Sequence, residues 1–570
     1  MRWRCVLSAA AGLLQFGPDF LEPYRCGVDE SWMLQSGCRL HRGQGLTSSL
    51  DDDLSDLSRP KYSHLHFWAP LHGFLYAGLL SLDVGEEGAL RLLKLVKALA
   101  AFAGMLGWLT LGNRLLPAGF NLLFALGLSS ALFASGEIAS PAHLYFWAVM
   151  PWFLMGLTDA IRTGRTSTLL AAGALAGLTF AMRYQAAYVT AAGLAAIVLL
   201  APGTARGRLR SAVVFGLPAA LIAGSVLLFN RLGRDEGDNS GIAWMIDKMP
   251  TAEWSVENLR HREPIIFLFA RGFGFEETLY SFKPSWKSAS FLYILPWYAL
   301  FVVAAWACRN RLGSDRRRFA ATVAVSAACL IGLLGVISFR GEPIPGWHPI
   351  AEPRLYGELL AAVALVWLTV LAVGAVRLPH WSGVLCVGLT LATAAFEARD
   401  LFRTSRTAAR RVVAAWDRGI EAPSELETTL RKLKAESPVP DVVVFDRFDG
   451  SALDMRRSDE IRFVNFQGDE TVRRIGSSRP ILLIVVVRRP WDAGRNRESP
   501  DWGTEQGERH AQALRLPKTG EARDGDVRCD LHTGVVGPWR PGTVPRKIGR
   551  AVRPAVATAG SWEPVEAGLP

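Results

Sequence analysis

His64-Leu-His66-Phe-Trp-Ala-Pro70-Leu-His72-Gly-Phe-Leu-Tyr76 opens an apolar run that continues to Leu82. At about 16 residues it is short for a membrane span, which needs about 20, and its aromatic edge suits a helix lying in an interface. Whether it crosses decides the side on which everything after it falls. Further apolar runs cover about 89–111, 118–134, 139–158, 167–182, 186–201, 211–229, 289–308, 319–338, 357–376 and 380–397. If residues 67–82 stay on the outer face, the inward gaps hold Arg114, Arg162, Arg165, Arg206, Arg208, Arg210, Arg309, Arg311, Arg316, Arg317, Arg318 and Arg377. If they cross, all of these arginines turn outward, against the tendency of basic residues to stay in cytoplasmic loops. The segment is therefore read as juxtamembrane. With an N-terminal signal anchor, positively charged Met1-Arg-Trp-Arg followed by the apolar run from Cys5 to about Phe16, eleven spans are expected.

The composition agrees with this reading. Of 570 residues, 50% are hydrophobic, with 19 Trp and 28 Phe, the profile of a polytopic membrane protein. The net charge of +11 does not point to nucleic acid, because much of it sits in the short gaps between spans, where it sets orientation. After residue 400 the material changes. Residues 398–437 read as an Arg-rich amphipathic helix, and 441–445, 461–466 and 481–487 as strands between turns. The expected fold is an all-α polytopic membrane domain, about eleven transmembrane helices plus outer juxtamembrane helices, with a small C-terminal α/β extracytoplasmic domain. Its boundaries are 1–400 for the membrane domain, with a first outer loop at 18–88 and a long outer loop at 230–288. The α/β domain covers 401–490, and an Arg/Gly/Pro-rich, partly flexible tail covers 491–570. Cys26 and Cys38 flank the acid pair in the first loop, where both a disulfide and two thiols fit.

The polar residues of the hydrophobic region share a side. The outer face receives Asp29 and Glu30, the His64/His66/His72 segment, Glu137, Arg183-Tyr184, and a late loop with Arg354 and Tyr356. Adjacent carboxylates beside a membrane repel each other and lose hydration unless a cation or a proton-taking task holds them. Asp29 is the candidate general base, with Glu30 holding the loop or orienting an acceptor. Arg183 and Arg354 stand at span ends. Edge arginines commonly snorkel to headgroups, but opposite an acid pair a guanidinium suits a phosphate leaving group, which it binds bidentately. Tyr184 and Tyr356 supply hydroxyl donors. Glu137 reads either as a site acid or as a helix N-terminal acid favoured by the dipole. The three histidines lack an H-E-x-x-H pattern and are read as an interfacial segment, so no metal site is expected.

These features resemble the C-type (GT-C) membrane glycosyltransferases: an acid pair in the first outer loop, a His-x-x-x-Pro-Leu stretch from His66 to Leu71, a lone acid after the third span, and Arg354-Leu-Tyr356 at a late span. The nearest likeness is to protein mannosyltransferases, aminoarabinose transferases and lipopolysaccharide-sugar transferases. The resemblance covers about residues 5–400. It implies Asp29 as base with Glu30 beside it, Arg354 and then Arg183 on the donor phosphate, and a polyprenyl-phosphate sugar as donor substrate with no other cofactor. The chain departs from the pattern at Ala69-Pro70, where many relatives carry two prolines, and Lys61 stands away from the position of a donor-binding lysine.

The function expected is transfer of a sugar from a polyprenyl-phosphate carrier to an extracytoplasmic glycan, lipid or protein. It would take place in the plasma or inner membrane, with no nucleic-acid partner. The alternative is a non-enzymatic transporter or flippase for lipid-linked glycans, or an envelope assembly factor. A transporter places its polar groups near the bilayer midplane, often in inverted repeats with broken helices. Here they gather at the outer ends of spans, and no such repeat is found.

Overall fold

The computed structural model describes residue 6, residues 28–49, 54–59, 62–65, 68–134, 141–233, 306, 308, 310–340 and 357–377, six positions between 381 and 391, then 425–446, 461–465, 475–489, 491–492, 497–498, 502–524, 527–541, 543 and 545–548. The chain divides into two compact units. One comprises Met1–Tyr24 with Leu65–Ile420, the other Arg25–His64 with Glu421–Pro570. The first outer loop therefore does not belong wholly to the membrane domain, as its position in sequence suggests. Its larger part folds with the C-terminal region. That part contains helix α1 (Val28–His41) and two short strands, β1 (Thr47–Ser48) and β2 (Ser63–His64), paired antiparallel with Thr47 opposite His64.

The membrane unit is helical. It holds α2 (Leu71–Leu80), α3 (Gly85–Leu115), α4 (Ala118–Ala134), α5 (Pro141–Thr163), α6 (Thr166–Met182), a 3-10 turn at Tyr184–Ala186, α7 (Ala187–Leu200), α8 (Ala205–Leu232), α9 (Ser314–Arg340) and α10 (Gly357–Arg377). Among the described residues, Gly85–Leu115, Ala142–Thr163 and Ala205–Leu232 are long and apolar enough to cross a membrane. The expected first span, most of 289–308 and most of 380–397 lie outside the described residues. α2 has 10 residues, or about 15 Å, half the thickness of a hydrocarbon core.

Packing follows the rule for helices in lipid, where small residues let backbones approach and dispersion replaces the hydrophobic drive. α6 lies so close to α8 that a Cβ on Gly173 would overlap the carbonyl oxygen of Phe215, a backbone atom with little freedom to shift. Gly104 and Gly107 of α3 likewise receive Trp147 and Pro151 of α5. Trp108, Phe146, Phe153, Tyr188 and Phe215 fill the interior.

The two ends of this bundle differ. At one, Asp159 of α5 joins Arg114 (3.0 Å) and Arg162 (3.1 Å), and Arg316 donates to the carbonyl of Leu115 at 2.8 Å. These arginines come from the gaps read as cytoplasmic. At the other end lie the start of α5, the α6–α7 turn and the end of α8. α2 is at this end too: its Phe74 ring packs 5.1 Å from Phe229, and His72 lies 5.9 Å from Tyr145.

The second unit is built on a five-stranded sheet in the order β4-β3-β5-β9-β8, made of β3 (Val442–Asp446), β4 (Arg462–Asn465), β5 (Ile481–Arg489), β8 (Lys518–Asp524) and β9 (Val527–Val536). β3 runs parallel to β4 and β5, and β9 is antiparallel to β5 and β8. β6 (Trp491–Asp492) and β7 (Arg497–Glu498) form a separate small hairpin. The runs Val442–Phe445 and Ile481–Val487 are buried on both faces, as sheet centres are. Side chains alternate between two cores. One face meets Leu426, Leu430 and Leu433 of α11 (Glu425–Ala435). The other meets Ala511 of α12 (Trp502–Ala513), together with Trp539 and Leu57.

One expectation needs correction here. The domain does not end near residue 490: β9 pairs with β5 along its whole length, from Arg489 opposite Arg528 to Ile481 opposite Val536. Charge hid this strand. Burial would push the Asp530 carboxyl up, but Arg489 (2.6 Å) and Lys518 (2.9 Å) bond to it and hold it below the usual carboxylate range. Its native pKa being the lower one, the contribution to stability is complete above about pH 4 and is lost as the pH falls through the native value. The amphipathic helix read at 398–437 is described only over Glu425–Ala435.

At the carboxyl ends of β3 and β5, Arg488 clasps Asp446 through Nε–Oδ1 and Nη2–Oδ2, both 2.8 Å, with 9% and 4% of the two side chains exposed. Removing one partner of such a pair costs about 3–5 kcal/mol, because the other charge stays buried. Arg488→Ala is therefore expected to raise hydrogen exchange in β3 and β5 while α3 and α5 keep their protection. Unchanged exchange in β3 would contradict this.

Candidate active site

The acid pair is not in a loop. Val28, Asp29 and Glu30 form the first turn of α1, where the helix dipole favours a carboxylate by about 0.3–1 kcal/mol. The Asp29 side chain lies outside the described residues. Glu30 is 2% exposed and precedes a run buried as far as Cys38. Cys26 lies outside the described residues.

α1 is held from behind by the hairpin. The Gln35 amide donates to Ser49 Oγ (3.2 Å) and accepts from the Ser49 amide (3.1 Å). Arg39 Nε donates to Thr47 Oγ1 at 2.8 Å, and its guanidinium lies 3.4 Å above the Tyr62 ring. His64 is buried on β2 opposite Thr47. The structure thus places His64 in the small hairpin, opposite the Thr47 whose hydroxyl accepts from Arg39 of α1. His66 lies outside the described residues.

In the membrane unit, Arg183 ends α6 and stands at the end of the bundle where α2 lies. Its Nη1 is 2.6 Å from His143 Nδ1. A guanidinium only donates, so Nδ1 accepts and carries no proton. This bond fixes the guanidinium plane. Next to it, the Tyr184 oxygen accepts from Asn230 Nδ2 at 2.6 Å, which leaves the phenolic proton to be donated. Tyr145 and His72 approach at 3.5 Å, and Tyr76 and Tyr188 are buried.

His143, Tyr145 and Asn230 are site neighbours that the sequence reading passed over. His143 lies six residues after Glu137 in the stretch read for that acid, and a lone histidine at the start of an aromatic helix is an ordinary core residue by sequence. Asn230 sits in an apolar run whose pairing with Tyr184 depends on how α8 packs. Glu137, Arg354 and Tyr356 lie outside the described residues. Among the described residues, no three His, Cys, Asp or Glu side chains gather to hold a metal ion. The side chain of Asp29, together with His66 and the 341–356 segment, falls outside that set.

No protein-family model matches this sequence, and no curated protein matches it. Solved structures do. The oligosaccharyltransferase of Archaeoglobus fulgidus in complex with Zn and sulfate aligns with TM-score 0.50 at 12% identity, over 85% of this chain and 68% of that one. Its apo form aligns with TM-score 0.48 at 12% identity, over 84% and 69%. The same enzyme, AglB, in complex with an inhibitory peptide and a dolichol-phosphate gives TM-score 0.46 at 11% identity, over 85% and 69%. At such low identity the likeness speaks of architecture alone: this chain shares the fold of the archaeal oligosaccharyltransferase in complex with Zn and sulfate.

Proposed function

We propose that this protein is a membrane glycosyltransferase that moves a sugar from a polyprenyl-phosphate donor to an extracytoplasmic acceptor. The observation that carries the proposal is the acid pair at the start of a buttressed helix, in a chain with the fold of an oligosaccharyltransferase. In the step proposed, an acceptor hydroxyl oxygen bonds to the anomeric carbon as Asp29 takes its proton. The anomeric carbon–oxygen bond breaks, and its electron pair leaves with the polyprenyl phosphate. Arg354 and Arg183 meet the charge growing on that phosphate, and Tyr356 and Tyr184 donate to its oxygens. Glu30 is buried in the turn that presents Asp29, and its role is to hold that turn. The tail of the donor stays in lipid while its head reaches the polar end of the bundle.

The gathering of His143, Arg183, Tyr184 and Asn230 at one end of the helices favours this reading over transport, which calls for polar groups along a path through the midplane. The test is incubation of the purified protein in lipid nanodiscs with labelled polyprenyl-phosphate sugars and envelope extracts. Label is expected on an acceptor. Label that stays on the lipid with every donor would remove the assignment.

A further inference from the structure

Between Ser49 and Tyr62, both of which meet α1, the first loop makes a short strap, residues 54–59, that docks on the C-terminal sheet. Leu57 is 1% exposed and lies in the same core as Val443, Phe445, Ile475 and Trp539. The backbones exchange two bonds: the Leu57 amide donates to the carbonyl of Gly476 at 2.7 Å, and the Gly476 amide to that of Leu54 at 3.0 Å. A Cβ on Gly476 would come 2.6 Å from the carbonyl oxygen of Ser55 and 3.0 Å from that of Trp539, so the closure depends on glycine there. Arg462 of β4 reaches over to the carbonyls of Asp56 and Leu57.

The side chain of Asp56 closes the strap. Its Oδ1 accepts from the Ser58 amide (3.1 Å), the Ser58 hydroxyl (2.6 Å) and the Ser478 amide (3.0 Å), and its Oδ2 from the Ser478 hydroxyl (2.6 Å). Burial would push this carboxyl up, but the bonds from Ser478 and Ser58 outweigh it and hold it far below the usual range. All four bonds are charge-assisted, and the two from Ser478 join residues more than 400 positions apart in sequence. A surface loop that only needed covering would not need four donors converging on one carboxylate.

We propose that Asp56, Ser58, Arg462, Gly476 and Ser478 form a latch by which the C-terminal domain fixes the position of α1, and with it Asp29. The latch residues are positioning residues for sugar transfer. This rests on the reading of Asp29 as base. Their effect runs from the sheet through the strap, then through Ser49 to Gln35 and through Tyr62 to Arg39, into the helix whose first turn carries the acid. The C-terminal domain thereby acts on turnover without contributing a reacting group.

The test uses the full chain in nanodiscs. Asp56→Ala is expected to lower kcat about 10–100-fold, as displacement of a catalytic group by about 1 Å does, with donor KM within about twofold and faster hydrogen exchange over residues 28–41. Asp56→Asn keeps an acceptor oxygen for the Oδ1 bonds and is expected to fall between. Ser58 and Ser478 hydroxyls are 3.1 Å apart, so Ser58→Cys with Ser478→Cys supplies a reversible covalent latch. In the Asp56→Ala background this disulfide is expected to restore kcat and slow exchange when oxidised, and to lose both when reduced. Unchanged exchange in α1 on Asp56→Ala would overturn the latch. Faster exchange with unchanged kcat would overturn its role in transfer. An Asp29→Asn protein as active as wild type would instead defeat the assignment of the base, and the exchange arm would still decide whether the latch orders α1.

Discussion

Asp29→Asn is expected to abolish transfer while the protein still folds and still binds its lipid donor. The base removes a proton from the acceptor as it attacks, a contribution of about 10²–10⁴-fold, and an amide of the same shape cannot take that proton. Glu30→Gln should act differently. Glu30 is 2% exposed and stands one residue further along the first turn of α1, so its loss changes how the turn is held. Activity should fall less than in Asp29→Asn, with part of the loss appearing as faster exchange at the start of α1. The check is steady-state transfer with donor binding measured separately for each variant. Equal and mild losses from both would mean that the acids serve only as helix-start carboxylates.

The second large effect concerns the phosphate. Charge grows on the leaving polyprenyl phosphate as the glycosidic bond breaks, so a cation placed there stabilises the transition state more than the ground state. Arg354→Ala should therefore lose turnover far more than donor affinity, and Arg354→Lys should recover only part, since lysine keeps the charge without the bidentate fork. Arg183 offers a second reading of the same chemistry. Because His143 orients its guanidinium through a 2.6 Å bond, His143→Ala should weaken transfer in the same direction as Arg183→Ala, by a smaller factor. Transfer rates with and without a chelator complete the comparison, and wild type is expected to keep its activity. Full activity in Arg354→Ala, or complete loss of wild-type activity with chelator, would remove Arg354 from the mechanism and reopen the His64/His66/His72 segment.

Much of the helical architecture was legible because it obeys simple periodic and charge rules. The run at 118–134 is a helix over Ala118–Ala134, and that at 167–182 is one over Thr166–Met182. The strands read at 441–445, 461–466 and 481–487 appear at nearly the same residues, the first and last because they are continuous apolar runs flanked by turns. β9 did not show itself, since Val-Arg-Cys-Asp530-Leu-His-Thr mixes charges whose partners, Arg489 and Lys518, lie on neighbouring strands. Burial of a charge is legible only once its partner is placed.

The site was legible unevenly for a related reason. Asp29 and Glu30 stand out by adjacency, but that they begin a helix depends on the support of that helix by Ser49, Thr47 and Tyr62. His143 and Asn230 enter only through packing between helices. The docking of Leu57 and Asp56 on the C-terminal sheet joins residues more than 400 apart, a distance over which no sequence period runs. Nothing in the polar stretch around Asp51-Asp52-Asp53 marks Asp56 as the acid whose donors come in part from Ser478.

The most direct test of sugar transfer is a single-turnover reaction in nanodiscs. The protein is loaded with a polyprenyl-phosphate sugar labelled on both sugar and lipid, acceptor is added, and the two labels are followed together. One free polyprenyl phosphate is predicted for each sugar joined to acceptor, with both products absent in Asp29→Asn although donor remains bound. Movement of intact, doubly labelled donor across the bilayer of a liposome, with no glycosidic bond cleaved, would contradict the account and identify a transporter.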